Sequence, residues 1–463
     1  MAMDFRVTHL NVTVVGAARS GLAAVDLLQA QGAHVTLADS ALRLPDDTLE
    51  DRLRARGVRL ELGPHTRDQF LQAQLLVVSP GVPLEQPAFA QARYAGVPII
   101  GELELASRWL QGPVIAITGT KGKSTTTTLA SRMLTEGGLN APAGGNIGDA
   151  LGAQVGASTP ATYHVVEVSS FQLSAIDTFH PWISVLLNLS PDHIDRHGTF
   201  EAYAAAKARI FMNQTGEDWA VVNADDPAAV ALAHGVRARR FDYSLDGTLA
   251  DGVTVEDGVI VRRSGGVSAP LVPLGAVQLP GRHLLSDVLA ATAVACLVGV
   301  SPDAMHRAVE GFRGLAHALE RVAVIDGITF INDSKATNIV SARQSIDSCE
   351  GGVVVILGGR HKGGRFEDLR DVVAQKCAGV VAIGEARPLV RAALADVVPV
   401  WDAGTMGEAV RQARTMAPSG GTVLLAPACS SFDMFADYSA RGRAFVEEVQ
   451  RMNDGQSSVL APR

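Results

Sequence analysis

Short, mostly apolar runs alternate with helical segments along the whole chain, and this alternation constrains the fold more than any other feature. The first runs are VTVVG (12–16), HVTLADS (34–40), LLVVSPG (75–81) and PII (98–100). Apolar runs of this length between helical segments favour parallel strands, because the connecting helices cover both faces of the sheet. The sequence therefore predicts an α/β fold that begins with one parallel sheet.

Two further blocks repeat the pattern. The second block starts near Gly101 and its predicted strands are PVIAIT, YHVVEVSS, WISVLLNLS and WAVVNADD, followed by a Gly-rich stretch over 241–280 that predicts a small antiparallel patch. The third block starts near Leu315 with a predicted hairpin, ERVAVIDGITFINDS, and three further strands. These blocks predict domains over 1–100, 101–314 and 315–463, with a frayed tail from about Gly455.

Charge and composition exclude several classes of protein. The chain has 40 basic and 48 acidic residues, a net charge of −8, which argues against a nucleic-acid binder. The longest apolar stretch, 284–300, contains Ser286 and Asp287 and is too short for a membrane span. The four cysteines form no CxxC pair and the N-terminus has no signal-peptide layout. We therefore expect a reduced, cytoplasmic, monomeric protein with neither nucleic acid nor membrane as a partner.

Lysine is scarce in this chain. Only six of the 40 basic residues are lysine, and the others are arginine. Lysine differs from arginine in offering a compact ammonium group or a reactive amine. Five of the six lysines fall within the motifs described below, so we expect them to have specific roles. The five are Lys121, Lys123, Lys207, Lys335 and Lys362.

A glycine-rich loop follows the predicted strand PVIAIT and opens a helix. Backbone N–H groups of such a loop, together with the helix N-terminus, favour phosphate anions. We expect Lys123 to reach the β- and γ-phosphates and Ser124 to hold Mg²⁺. The loop departs from GxxxxGK[ST], because Ile117 occupies the first Gly position. It consists of Gly119, Thr120, Lys121, Gly122, Lys123, Ser124 and Thr125.

A second strand–turn–helix segment, GAARSG (16–21), resembles a dinucleotide site, with Asp39 at the end of the next strand. Ala18 replaces the middle glycine that lets a pyrophosphate approach closely. The segment is therefore interpreted either as an ordinary tight turn or as a site for another nucleotide diphosphate.

Carboxylate, histidine and lysine residues follow other strands of the second block. Glu167 ends one strand, and Asp192 and His193 follow another. The carboxyl ends of parallel strands meet at one sheet edge, where oxygen and nitrogen ligands could hold Mg²⁺. Two alternatives stay open at this point: Asp192 as a helix cap, and Lys207 as a solvated helix residue.

Three polar segments end strands of the third block. They are NDSKATN (332–338), LGGRHKGG (357–364) and APACSSFD (426–433). Three such segments at one edge of a sheet exceed what turns require, so the sequence predicts a binding site there.

Taken together, the motifs resemble those of the Mur ligases of bacterial cell-wall synthesis, over almost the whole chain. TGTKGKST, GGNIG (144–148), EVSSFQL, SPDHIDRHG and AAKARI match the shared central domain. NDSKATN, LGGRHKGG and APACSSFDMFADY…RG resemble the D-glutamate-adding branch. The resemblance implies three domains: an N-terminal Rossmann-like domain, a central P-loop ATPase-like domain with the antiparallel patch, and a C-terminal Rossmann-like domain.

The resemblance also implies a role for individual residues. The UDP part of the acceptor would contact Arg19, Ser20, Gly21, Asp39, Ser40, Ser79, Pro80 and Gly81, and the rest of the acceptor Asn146, Ser169 and Gln172. ATP would contact the glycine-rich loop, His283, Asp333 and Lys335. D-Glutamate would contact Thr337, Lys362, Ser431 and Tyr438. Catalytic roles are implied for Lys123, Glu167, His193 and Lys207, and two Mg²⁺ ions would be held by Ser124, Glu167, His193 and a Lys207 carbamate formed with CO₂.

The implied reaction joins D-glutamate to UDP-N-acetylmuramoyl-L-alanine at the expense of ATP. The acceptor carboxylate attacks the γ-phosphate, and the amine of D-glutamate then displaces phosphate from the acyl phosphate. Positively charged groups would offset the charge on the transferred phosphoryl group. We expect the third domain to close over ATP before this chemistry.

Four positions depart from the family pattern. Leu284 and Asp287 stand where the family usually has asparagine, Ala318 where it commonly has arginine, and Ala426 where it has serine. Loss of an arginine at a phosphate site removes a charge-assisted bond of roughly 1.5–3 kcal/mol. The departures predict weaker ATP binding, replacement of the charge by Arg282, Arg313 or Arg321, or a different substrate.

Three alternative functions remain open from the sequence. Another amino-acid ligase of the family, such as one that adds L-glutamate to a folate, would use the same central motifs. A nicotinamide-dependent oxidoreductase would use GAARSG and Asp39 but leaves TGTKGKST unexplained. A P-loop ATPase or kinase would hydrolyse ATP without an amine acceptor.

Overall fold

The computed structural model describes residues 5–44, 47–247, 249–279, 281–361 and 364–457. The chain divides into two compact units, Met1–Phe312 and Arg313–Arg463. Each unit is described by itself below. The division into three domains over 1–100, 101–314 and 315–463 remains a prediction.

The strands of the first unit are β1 (Asn11–Val15), β2 (His34–Asp39), β3 (Arg59–Leu62), β4 (Leu75–Val78), β5 (Ile99–Gly101), β6 (Val114–Thr118), β7 (Ala143–Gly145), β8 (His164–Glu167), β9 (Ile183–Leu186), β10 (Trp219–Val222), β11 (Arg239–Arg240), β12 (Asp242–Tyr243), β13 (Gly252–Glu256), β14 (Val259–Ser264) and β15 (Val267–Pro273). Those of the second unit are β16 (Glu320–Ile325), β17 (Ile328–Asn332), β18 (Val353–Gly358), β19 (Cys377–Ile383), β20 (Val400–Ala403) and β21 (Thr422–Leu425).

The helices of the first unit are α1 (Arg19–Ala30), α2 (Asp47–Ala55), α3 (Arg67–Leu71), α4 (Pro87–Tyr94), α5 (Glu102–Ser107), α6 (Lys123–Glu136), α7 (Ser170–Leu173), α8 (Ile194–His197), α9 (Phe200–Ala208), α10 (Pro227–Leu232), α11 (Arg282–Val298) and α12 (Pro302–Glu310). Those of the second unit are α13 (Ile339–Asp347), α14 (Arg370–Lys376), α15 (Arg387–Leu394), α16 (Met406–Met416) and α17 (Tyr438–Ser457). Short 3₁₀ turns cover Leu151–Ala157, Arg209–Phe211, Leu274–Ala276 and Phe366–Leu369.

The first sheet has the order β3-β2-β1-β4-β5, and all of its strands are parallel. This confirms the sheet expected from the first apolar runs. Strand β3 escaped the sequence analysis because its sequence, RLEL, alternates charged and apolar residues and is only partly buried. The carboxyl ends of β1 and β4, which lie on either side of a change in strand order, open onto a crevice.

The central sheet has the order β11-β10-β9-β6-β8-β7 and is also parallel. All five residues of β6 are buried, as its uninterrupted apolar sequence predicts. Because β6 lies between β9 and β8, the loop that follows β6 is flanked by the ends of both neighbouring strands. This position brings the glycine-rich loop, Glu167 and the segment after Leu186 to one sheet edge.

The small sheet has the order β12-β13-β14-β15 and differs from the expected antiparallel patch in one respect. Strands β13, β14 and β15 are antiparallel, but β12 pairs with β13 in parallel. Strand β12 follows β11 directly and keeps the direction of the central sheet, since Phe241 donates its N–H to the Ala220 carbonyl. The patch therefore grows from the edge of the parallel sheet.

The second unit contains one sheet, ordered β16-β17-β21-β18-β19-β20. The predicted hairpin is confirmed: β16 and β17 are antiparallel and their turn places Asp326 and Gly327 at positive φ. Strands β17, β21 and β18 are parallel neighbours, so the three polar segments lie at one edge as predicted. The tail that the sequence predicts to fray from about Gly455 is helical as far as Ser457, where α17 ends. Residues 458–463 lie outside the described residues.

Helix α5, between the two parallel sheets, is held by a buried glutamate. The carboxylate of Glu104 accepts hydrogen bonds from the backbone N–H groups of Asp177, Thr178 and Phe179, and from the side chains of Thr178 and Arg108. Burial alone would raise the pKa of Glu104, but these hydrogen bonds hold it below its ordinary value. Glu104 therefore fixes α5 to the segment before β9 as an ionised group.

Replacement of this carboxylate is expected to destabilise the first unit. Glu104→Ala should lower the free energy of unfolding by about 3–5 kcal/mol, since it leaves buried donors and a guanidinium without their acceptor. Urea unfolding followed by tryptophan fluorescence measures this, because three of the four tryptophans lie in that unit. The exposed Glu310→Ala is the control and should change stability by less than about 0.5 kcal/mol.

The same experiment has a pH dependence. The pKa of Glu104 is lower in the folded protein than in the unfolded chain. Its stabilising effect is therefore complete above the ordinary glutamate pKa and is lost as the pH falls through the folded value. The difference between wild type and E104A should shrink in acid, and a constant difference would contradict an ionised Glu104.

Candidate functional site

The glycine-rich loop forms the N-terminus of α6. Gly122 caps this helix in a left-handed conformation, with φ of 80°, which glycine adopts without strain. The ammonium group of Lys123 donates to the Thr120 carbonyl at 2.9 Å. The N-terminus of α6 and this lysine place positive potential at the end of β6, as the sequence predicts.

Asn188, which the sequence analysis missed, holds the loop from the end of β9. Its side-chain oxygen accepts the N–H of Lys121 at 2.9 Å, and its amide donates to the Lys121 carbonyl at 3.1 Å. The N–H of Thr120 donates to the Asn188 carbonyl at 3.0 Å. The segment NLS carries no recognisable motif, so only the adjacency of β6 and β9 reveals this role.

Glu167, at the end of β8, faces the same loop. The hydroxyl of Ser124 donates to one carboxylate oxygen at 2.6 Å, and the side-chain amide of Asn146 donates to the other at 2.7 Å. Glu167 is only 2% exposed. A hydroxyl and a carboxylate oxygen at this separation are ligands suited to Mg²⁺.

Lys207, in α9, lies behind the loop and not in solvent. Its side chain is 2% exposed, and its amine donates to the Gly119 carbonyl at 2.8 Å and to the Thr118 hydroxyl at 3.3 Å. Burial, together with the nearby Lys123, lowers the pKa of Lys207 well below its ordinary value. The interpretation of Lys207 as a solvated helix residue is therefore wrong.

His193 occupies a left-handed backbone position directly before α8, with φ of 53°. Its ring lies 5.0 Å from that of Phe171 and 3.6 Å from the Asp192 carboxylate, and its side chain is 49% exposed. Asp192 does not cap α8. Its carboxylate accepts the N–H of His193, the residue before the helix, and no side-chain hydrogen bond caps the helix start.

Within the part of the chain that the structure describes, no three His, Cys, Asp or Glu side chains form a metal-binding group. A Mg²⁺ site needs few protein ligands, because Mg²⁺ keeps several waters and binds substrate phosphates. The Ser124 and Glu167 oxygens fit such a site. The assignment of His193 as a ligand remains a prediction.

The start of α11 contacts the loop as well. A Cβ atom added at Gly122 would lie 2.0 Å from a carboxylate oxygen of Asp287. Asp287, one of the four departures from the family pattern, therefore lies against the glycine-rich loop. Burial raises the pKa of Asp287 to about 7, against the opposing effects of Thr126 and Lys123. His283 is exposed at the same helix end, and Arg282 forms an ion pair with Asp246.

The predicted acceptor residues lie at the carboxyl edge of the first sheet. The Asp39 carboxylate accepts the N–H of Ala17 at 2.7 Å, and the Ser79 hydroxyl donates to the Gly16 carbonyl at 3.0 Å. A Cβ at Gly21 would lie 1.8 Å from the Gly16 carbonyl oxygen. This edge brings together Arg19, Ser20, Gly21, Asp39, Ser40, Ser79, Pro80 and Gly81.

Ser169 and Gln172 form a capping box at the start of α7. The Ser169 hydroxyl accepts the Gln172 N–H, and the Gln172 side-chain oxygen accepts the Ser169 N–H at 2.9 Å. Gln172 is buried and its oxygen serves the helix N-terminus. A contact between Gln172 and the acceptor remains a prediction.

In the second unit, buried Arg441 joins two of the three polar segments that follow strands, NDSKATN and APACSSFD. It is 1% exposed and donates to the Ser334 hydroxyl and carbonyl and to the Cys429 carbonyl. The Ser334 hydroxyl donates to the Tyr438 carbonyl at 2.7 Å. Sequence analysis missed Arg441, although it lies in the ARG tripeptide of the quoted motif.

The remaining predicted residues of this unit lie around these contacts. Asp333 is buried and its carboxylate accepts from the Ser345 hydroxyl, while burial raises its pKa. The N–H of Lys335 donates to the His317 carbonyl, and Thr337 follows in the same loop. Ser431 is buried and Tyr438 is half exposed. Lys362 lies outside the described residues.

Three sequence models of the Mur ligases match the chain. They are the MurD-like N-terminal domain over residues 10–101, the Mur ligase middle domain over 117–295 and the glutamate ligase domain over 317–429. The chain is 44% identical to the UDP-N-acetylmuramoylalanine–D-glutamate ligase of Acidobacterium capsulatum over 95% of each sequence. The chain belongs to the Mur ligase family.

Further relatives agree with this assignment. The UDP-N-acetylmuramoylalanine–D-glutamate ligase of Pelotomaculum thermopropionicum is 43% identical over 98% of this chain and 100% of the relative. The solved UDP-N-acetylmuramate-alanine ligase of Thermotoga maritima matches with a TM-score of 0.59 at 19% identity, covering 96% of this chain and 100% of that one. The MurF ligase of the same organism, solved with ADP, matches with a TM-score of 0.56 at 15% identity, covering 97% and 96%.

These matches confirm the predicted family and the α/β fold class. The range matched by the Mur ligase middle domain includes the glycine-rich loop, Glu167, Lys207 and the start of α11. No helix among the described residues has the length and apolar character to cross a membrane.

The contact between Gly122 and Asp287 can be tested by stability. Gly122→Ala should lower the free energy of unfolding by about 1–2 kcal/mol for the left-handed backbone and by roughly 1–3 kcal/mol more for the clash. Gly138→Ala is the matched control, since Gly138 flanks the other end of α6 with φ of 83° and an added Cβ there meets nothing within 4 Å. Equal losses in urea unfolding would contradict the contact with Asp287.

Proposed function

We propose that this Mur ligase adds D-glutamate to UDP-N-acetylmuramoyl-L-alanine, with ATP as the source of energy. The observation that carries the proposal is the contact of Ser124 with Glu167 at the end of the phosphate loop. The relatives named D-glutamate ligase, which align over nearly their whole length, support the choice of substrates.

ATP binding would rest on the loop at the end of β6. The loop N–H groups and Lys123 would hold the phosphates. Ser124 and Glu167 would hold Mg²⁺, which supplies charge neutralisation at the transferred phosphoryl group. His283 and Asp287 at the start of α11 lie on the side of the loop where nucleotide contacts are expected.

The first step would be phosphoryl transfer to the acceptor. The edge of the first sheet would bind the UDP part, while Asn146 and Ser169 orient the L-alanyl carboxylate. One carboxylate oxygen attacks the γ-phosphorus and ADP leaves, so that an acyl phosphate forms. Lys123 would offset the charge that develops on the phosphoryl oxygens.

The second step would use the amine of D-glutamate. Residues Thr337, Lys362, Ser431 and Tyr438 of the second unit would bind the amino acid. Its neutral amine attacks the acyl carbon, a tetrahedral intermediate forms, phosphate leaves, and the nitrogen loses a proton. The product is an amide.

Lys207 would act as a carbamate. Its neutral amine forms a bond with CO₂ and releases one proton, which yields a carboxylate on the side chain. Burial favours the neutral amine that this reaction requires. An arginine at this position lacks the primary amine, and an unmodified ammonium group repels a cation.

The substrate assignment is tested by phosphate release. With ATP, Mg²⁺ and UDP-N-acetylmuramoyl-L-alanine, release should require D-glutamate and remain near background with L-glutamate, L-lysine, diaminopimelate or no amine. The UDP acceptor should be required as well. Phosphate release without any amine would indicate an ATPase. Phosphate release that depends on another amine would identify that amine, and not D-glutamate, as the substrate.

The carbamate is tested at Lys207. Lys207→Ala should lose nearly all activity, by about 100-fold or more, and Lys207→Arg should not restore it. Short carboxylic acids such as acetate or propionate should partly restore activity to the alanine variant but not to the arginine variant. Normal activity of K207R would contradict the carbamate.

A further inference from the structure

Asn146 is attached to Glu167 through its backbone as well as its side chain. It follows β7, and its N–H donates to the Glu167 carbonyl at 2.9 Å. The preceding residue, Gly145, has φ of 95°, and a Cβ there would lie 2.6 Å from the same carbonyl oxygen. Only glycine allows this close approach, so the chain is built to bring Asn146 beside Glu167.

The side chain of Asn146 occupies one carboxylate oxygen of Glu167. Its amide donates at 2.7 Å to the oxygen that the Ser124 hydroxyl does not contact. The two donors come from separate elements and fix the orientation of the carboxylate plane. Of these two, Ser124 is itself an expected metal ligand, so Asn146 is the one that orients Glu167 without ligating.

Asn146 also contacts the predicted acceptor site. The guanidinium of Arg19, at the start of α1, donates to the Asn146 carbonyl at 3.1 Å and lies 3.5 Å from the Gly145 carbonyl. A single residue therefore connects the start of α1 to the Glu167 carboxylate beside the glycine-rich loop.

We infer that Asn146 is a positioning residue for the metal site, which orients the Glu167 carboxylate for Mg²⁺ while Arg19 holds its backbone. The inference rests on the proposed function only in taking Glu167 as a Mg²⁺ ligand. This role is additional to any contact of Asn146 with the acceptor. Hydrogen-bond partners of metal ligands commonly change metal affinity by about 10- to 100-fold.

The test measures metal binding directly, without acceptor, D-glutamate or turnover. Mn²⁺ is titrated into the full-length protein with a non-hydrolysable ATP analogue, and bound Mn²⁺ is followed by electron paramagnetic resonance. Asn146→Ala and Asn146→Ser should each raise the Mn²⁺ dissociation constant by about 10-fold or more. Both variants should retain the wild-type melting temperature, since Asn146 is exposed.

Asn140→Ala is the matched control at the opposite end of the same strand pair. The Asn140 amide donates to the Thr162 hydroxyl at 3.1 Å and is exposed. Its Mn²⁺ dissociation constant should stay within twofold of wild type. Folded N146A and N146S with wild-type Mn²⁺ binding would overturn the inference, as would an equal effect of N140A. Because no amino acid is present, failure of D-glutamate as the substrate would leave this result unaffected.

Discussion

The hydrogen bonds to the Glu167 carboxylate are the interactions on which the site depends. They join the end of β8 to the glycine-rich loop through Ser124 and to the end of β7 through Asn146. Since β6 lies between β8 and β9, the loop is held from the other side by Asn188. These contacts hold the loop from two sides, which would orient its N–H groups and Lys123 before the proposed nucleotide binds.

Burial shifts the pKa values of two groups beside the loop, Lys207 and Asp287. Lys207 donates to the Gly119 carbonyl in an environment that disfavours its ammonium form. Asp287 lies against Gly122 of the loop, and burial disfavours its carboxylate form. Loss of the Lys207 ammonium form removes a positive charge from beside the loop, and protonation of Asp287 removes a negative one, so the two effects of burial on the potential of the loop oppose each other.

The sequence predicted those parts of the fold and site that depend on local pattern. Short, mostly apolar runs predicted β1, β4, β6, β8 and β18, and the glycine-rich loop predicted the start of α6. Contacts between distant segments had no local signal: Asn188 follows β9 in an unremarkable tripeptide, and Arg441 acts through three segments that only the fold brings together. Strand β3 was missed because it alternates charged and apolar residues and is only partly buried. The left-handed backbone of His193 depends on its tertiary surroundings.

In the proposed reaction, the site couples phosphoryl transfer to amide formation through an acyl phosphate. The most direct measurement uses an acceptor whose L-alanyl carboxylate carries ¹⁸O in both oxygens, with ATP, Mg²⁺ and D-glutamate, and analyses the released phosphate by mass spectrometry. An acyl-phosphate intermediate should leave one ¹⁸O atom in each phosphate and one in each amide product. Unlabelled phosphate, with turnover of ATP, would contradict it.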